Sequence, residues 1–194
     1  MAVINSLMHW FDISEISASN QCGGIFFLQQ DVGELRSVMQ QIDGFLKSCR
    51  QLTDMQRGEI LLISGEAVSN AIIASYTLSP EKRTEEIFGF CELTATAFTM
   101  RIVDLGKGLY KKYLPDLSQP PGSPTNKKLQ LPRDGQLIEH STTGQGLRIL
   151  TTLANGLEIE LVTEDWKVAR EELLSSGERI AGTRMTITVP LASG

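Results

Sequence analysis

The chain has 194 residues, 18 Lys and Arg against 23 Asp and Glu, a formal net charge of −5, and 41% hydrophobic residues. That length and balance fit one soluble domain with a full core and leave little chain for a second. The acidic surplus argues against a nucleic-acid surface, which needs a basic stripe. No apolar run approaches the roughly 18–20 residues of a membrane span. Met1 to Asn20 carries Asp12 and Glu15 and lacks the basic start of a signal peptide. Cys22, Cys49 and Cys91 are odd in number and widely spaced. They fit reduced cytoplasmic thiols, neither a disulfide framework nor a zinc site.

In chain order, residues 1–23 form an N-terminal extension in which Met8, Trp10, Phe11, Ile13 and Ile16 suit a short amphipathic segment docking on the body or on a partner. Ile25-Phe26-Phe27-Leu28 predicts a first strand. Asp31 is placed as a helix N-cap, with Glu34 completing a capping-box pattern. Leu35, Val38, Met39, Ile42, Phe45, Leu46 and Cys49 then follow helical spacing to about Leu52, and Thr53 and Asp54 break it. A second helix runs from about Met55 to Thr77 and ends before Ser79-Pro80.

Within that helix Ile60, Leu61, Ser64, Ala67, Val68, Ala71 and Ile72 make an apolar stripe. Glu66 and Asn70, one turn apart, share a face. A carboxylate and an amide among Leu, Ile and Ala are costly to bury without a partner. A magnesium nucleotide would be such a partner, and a half-exposed helix rim is the plainer alternative.

Ile87 to Leu93 and Phe98 to Val103 predict two strands joined through Thr94–Thr96. The second runs into Asp104-Leu105-Gly106-Lys107-Gly108. Strands often end in such turns. Chemically, a carboxylate there could accept a hydrogen bond from an adenine amino group, while the glycines let backbone approach a nucleotide. Residues 109–143 read as one long irregular segment with five of the seven prolines and with Lys111, Lys112, Lys127, Lys128 and Arg133. It suits either a phosphate-closing lid or a simple insertion. Gly144-Gln145-Gly146-Leu147 opens a helix continuing through Leu153, a natural phosphate site or simply the end of the loop. Leu157 to Val162 alternates like a strand, Asp165 to Gly177 reads as a short charged helix or insertion, and Gly182 to Pro190 as a final strand.

A Glu-x-x-x-Asn helix, a strand ending in Asp-x-Gly-x-Gly, a long lid, Gly-x-Gly-Leu opening a helix and Gly-Thr before the last strand follow one another across residues 66–183. That order resembles the ATP-binding fold shared by gyrase, the large heat-shock chaperone, histidine kinases and mismatch-repair ATPases, the GHKL superfamily. Within it, Ser64 to Ile73 most resembles the corresponding helix of the anti-sigma-factor serine/threonine kinases. The resemblance covers about residues 24–190 and implies an α/β two-layer sandwich, with a mixed, mostly antiparallel sheet, helices on one face and a lid at about 109–143.

The resemblance implies a role for each matching residue. Asn70 would hold a magnesium ion, and Glu66 would orient or deprotonate the attacking hydroxyl. Asp104 would read adenine, with Gly106 and Gly108 shaping the pocket wall and Thr183 supporting Asp104. Gly144 and Gly146 would present amides to the phosphates, with Leu147 beside them. ATP and Mg2+ are the implied cofactors. An anti-anti-sigma-type protein is the implied acceptor and a sigma factor a second partner, with homodimerisation also expected. Two departures stand out. Thr142 and Thr143 occupy the positions where the kinases usually carry an Arg, and Ala74-Ser75 replaces a His-Gly. A nucleotide-gated binding module with little or no catalysis is therefore the alternative. A detached histidine-kinase domain fits less well, because neither His9 nor His140 lies in a dimerisation-helix context.

Overall fold

A computed structural model describes residues 22–29, 32–49, 52–76, 86–106, 108–109, 114, 127–133, 136–142 and 145–191. The expected Asp31 cap and the N-terminal extension up to residue 21 lie outside them. Helices α1 (Val32–Ser48) and α2 (Asp54–Tyr76) follow the predicted apolar spacing closely. Thr53 stands between the two helices as expected and caps the second, while α1 ends at Ser48, short of the expected Leu52, and Asp54 already belongs to α2. The Gln56 amide donates to Thr53 Oγ1 at 3.2 Å, and the Thr53 amide donates to Gln56 Oε1 at 3.0 Å. Two backbone donors that helix geometry leaves without partners are thereby satisfied. Thr53→Ala is expected to cost about 1 kcal/mol of folding stability by urea denaturation, and Thr53→Ser much less.

Helix α2 is the centre of the helical layer. Ile60, Ile63, Ser64, Ala67, Val68, Ala71 and Ile72 are buried along it, facing the sheet. Helix α1 lies on one side, contributing Val38, Ile42 and Leu46 to the core. Helix α3 (Gly146–Leu153) lies on the other and contributes Leu150.

The strands are β1 (Cys22–Gln29), β2 (Glu86–Leu93), β3 (Ala97–Asp104), β4 (Lys127–Arg133), β5 (Gln136–Thr142), β6 (Gly156–Thr163), β7 (Val168–Ala169) and β8 (Ile180–Pro190). Six of them form one sheet in the order β1-β2-β3-β8-β6-β7, antiparallel at each described pairing. Strand alternation sorts the side chains. Ile87, Cys91, Phe98, Met100, Ile102, Met185 and Ile187 meet the helices. Phe88, Phe90, Val103, Leu105 and Val162 form a smaller cluster on the opposite face.

Three expectations change. The segment 109–143 is not irregular throughout, because β4 and β5 pair as a hairpin of their own. In place of a short charged helix at 165–177 the chain makes a tight turn, the two-residue β7 and a 3-10 turn at Glu171–Leu173. In the turn, Trp166 takes a positive φ of 66°. Strand β8 starts at Ile180, before Gly182. Among the described residues no helix is long and apolar enough to cross a membrane.

Candidate functional site

The β3–β8 register sets Asp104 directly across from Thr183 at the middle of the sheet. Both are buried, at 7% and 1% exposure. Asp104 Oδ1 accepts the Gly106 amide at 2.9 Å, so the carboxylate turns the chain back as the strand ends. The Thr183 hydroxyl bonds the same carboxylate and accepts the Leu109 amide at 2.9 Å. Gly108 has a φ of +81°, and a side chain there would drive into Ile180 and Leu161. Only glycine fits that turn without strain.

Burial raises the Asp104 pKa well above the ordinary carboxylate value, to about 7, against the lowering pull of bonds from Gly106 and Thr183. The native state then holds its proton more tightly than the unfolded chain does. The stability this group contributes is complete below the unfolded pKa and is lost as pH rises through about 7. Stability is therefore expected to fall by about 3 kcal/mol between roughly pH 5 and pH 8 on this group's account. Asp104→Asn should flatten that part of the profile, read by denaturation at a series of pH values.

A cavity of about 230 Å³ opens beside this carboxylate, between α2 and the sheet. Helix α2 supplies Ala67, Asn70 and Ala71 to its wall, β3 supplies Ile102, and β8 supplies Thr183 and Met185. Ile73 and Ala74 of α2, with Gly108, Leu109 and Leu147, add to the lining. The walls are thus apolar, with Asp104, Thr183 and Asn70 as convergent polar groups, the pattern of a small-molecule site.

At the other end lies the start of α3. A Cβ added to Gly146 would stand 2.6 Å from Glu66 Oε2 and 3.2 Å from both terminal atoms of the Asn70 amide. The helix opening therefore sits against the Glu66–Asn70 pair, with Gln145 as an N-cap residue whose side chain makes no cap bond. Asn70 Nδ2 is buried without a hydrogen-bond partner. Such an atom signals a missing ligand or water. Glu66 is half-buried and does not line the cavity itself. Gly144 lies outside the described residues. Among those residues no group of three or more His, Cys, Asp and Glu could hold a metal ion.

Sequence reasoning named Asp104, Gly106, Gly108, Asn70, Gly146, Leu147 and Thr183, and the fold brings all seven around this one cavity and the helix start beside it. It passed over Gly182 as a residue with its own part. A Cβ there would fall 2.0 Å from the Asp104 carbonyl oxygen. The Gly-Thr pair before the last strand carried that signal.

A six-stranded antiparallel sheet with helices on one face, and a cavity between them ending in a buried Asp–Thr pair, has the architecture of GHKL ATP-binding domains. Residues 28–169 match the family described as Histidine kinase-like ATPase domain, and the chain belongs to it. A comparison with individually curated proteins returns no match.

Proposed function

We propose that the protein binds ATP with Mg2+ in the cavity at Asp104 and acts as a serine/threonine protein kinase on an anti-anti-sigma-type partner in a partner-switching pathway. The observation that carries the reading is the meeting of Glu66, Asn70 and the start of α3 within contact distance of one another. The residues fit the nucleotide and its ion. The buried, partnerless Asn70 Nδ2 is a donor that a phosphate oxygen would satisfy. Asn70 Oδ1, the acceptor end of the same amide, would hold the ion, since magnesium takes oxygen ligands and needs few of them from the protein. Bound Mg·ATP would supply the phosphoryl group and, through the ion, neutralise phosphate charge.

The chain's own residues divide the remaining work. Asp104, Gly106, Gly108 and Thr183 hold the base end. Gly146 and Leu147 form the phosphate end, which Gly144 would extend, because amides at a helix N-terminus favour anions. Glu66 holds, or takes the proton from, the partner's hydroxyl. In this reading the protein works in the cytoplasm, contacts a sigma factor when its acceptor is phosphorylated, and acts as a homodimer. One observation favours the second reading, a nucleotide-gated binding module: Thr142 and Thr143 stand where the kinases carry their phosphate-contacting Arg.

Glu66→Ala separates the two readings. As a kinase, the variant should keep wild-type nucleotide affinity and lose transfer by about 10²-fold or more. Wild type and variant are incubated with Mg·ATP and a lysate of the source cell, and phosphosites are compared. A serine or threonine modified only by wild type establishes the kinase and names its acceptor. No new phosphosite, from protein that binds ATP, moves the conclusion to the binding module.

A further inference from the structure

We propose that the outer edge of β6 is a docking site for an extended, Lys- or Arg-bearing segment of a partner protein, which adds a strand beside Gly156–Glu160. Strand β6 pairs with β8 along its whole length, whereas β7 covers only Leu161 and Val162. Beyond them the chain leaves the edge at Arg170 and turns through the 3-10 segment. Among the described residues, no strand pairs with the outer side of the five residues from Gly156 to Glu160. In an antiparallel ladder every second residue presents both its N–H and its C=O to that side. Open edges of this kind are usually blunted by lysine, proline or a bulge. This stretch has no Lys and no Pro, and the irregularity in β6 lies further on, between Val162 and Thr163.

Beside the edge is a groove of about 480 Å³, larger than the cavity at Asp104 and separate from it in lining. Leu157, Ile159 and Leu114 give it an apolar floor, and Leu173 stands over it at 74% exposure. Glu158, Glu160 and Glu172 line it, with Arg170 as the one cation among the described residues. Arg184 pairs with Glu160 at 2.6 Å, but the Glu158–Arg170 pair is 3.6 Å long and about 60% exposed on both sides. An exposed pair of that length is worth little and exchanges readily for an incoming cation.

These charges select the occupant. Two copies of the chain pairing edge to edge would set the carboxylates of Glu158 and Glu160 against their own kind, which is destabilising. A segment that alternates apolar and basic residues places the apolar ones on Leu157, Ile159 and Leu173 and a basic one on Glu158. Backbone bonds then supply affinity and the side-chain alternation supplies selectivity. This surface is independent of nucleotide binding and of phosphotransfer.

The test uses the full chain, labelled for amide NMR, and a short synthetic peptide of alternating lysine and valine. In the free protein the outward amides of Gly156–Glu160 should exchange quickly, and the peptide should slow them by about tenfold or more. The same peptide N-methylated at alternate amides should not bind, nor should a glutamate–valine peptide. Leu173→Asp and Glu158→Lys should each weaken binding by about fivefold, with nucleotide affinity unchanged. Edge amides already protected in the free chain would overturn the proposal, since the edge would then be covered from within. So would equal binding of the N-methylated or the acidic peptide, because neither strand pairing nor charge selection would then operate.

Discussion

Asp104→Ala is expected to bring ATP binding below detection by calorimetry. Among the described residues the carboxylate is the only acidic group lining the cavity, and it is buried and fixed by Gly106 and Thr183. A site built around such a group loses about 10³-fold or more in affinity without it, because a ligand donor buried against it is left unpaired. The substitution also leaves the Gly106 amide and the Thr183 hydroxyl without their acceptor, so the variant's fold is checked by denaturation in parallel. Asp104→Asn keeps an oxygen for Gly106 and controls for packing. Wild-type affinity in the Ala variant would show that nucleotide binds elsewhere.

The second large effect is expected at Gly182. An added Cβ would meet the Asp104 carbonyl oxygen at 2.0 Å and the Leu105 Cα at 2.9 Å. Both are backbone atoms, so no rotamer change relieves the clash. β3 and β8 have to move apart at the register position where Asp104 faces Thr183. Overpacking on this scale costs about 3 kcal/mol or more. Gly182→Ala should therefore lower the urea midpoint sharply and, in conditions where it remains folded, weaken ATP binding as well. A variant with wild-type stability and affinity would mean that the two strands tolerate separation.

The sequence was most informative where one face of an element is buried. The periodicity of Val38, Ile42 and Leu46, of Ile60 to Ile72, and the alternation of Phe98, Met100 and Ile102 each match a buried row. It was least informative where local chemistry decides. Thr53 and Gln56 close a capping box that reads, by composition, as a break. The β4–β5 hairpin hides behind Pro132 and a run of lysines, although the two residues between its strands, Asp134-Gly135, are a favoured hairpin connection. Of the site, the residues could be named from the order of their motifs. Their meeting could not, because the contact of Gly146 with Glu66 and the register of Asp104 with Thr183 join residues far apart in the chain.

The strand order also bears on how the protein is made. β8 is the last strand in chain order, yet it sits between β3 and β6 and joins β1-β2-β3 to β6-β7. A ribosome that has released everything up to residue 179 has delivered two sheet fragments with no strand between them. Long-range pairings of this kind form slowly and leave apolar edges waiting. Asp104 gains its partner Thr183 only when β8 pairs with β3. The nucleotide pocket is thus incomplete until β8 has paired, and a chain stopped before residue 180 should be a client for chaperones and not a binder of ATP.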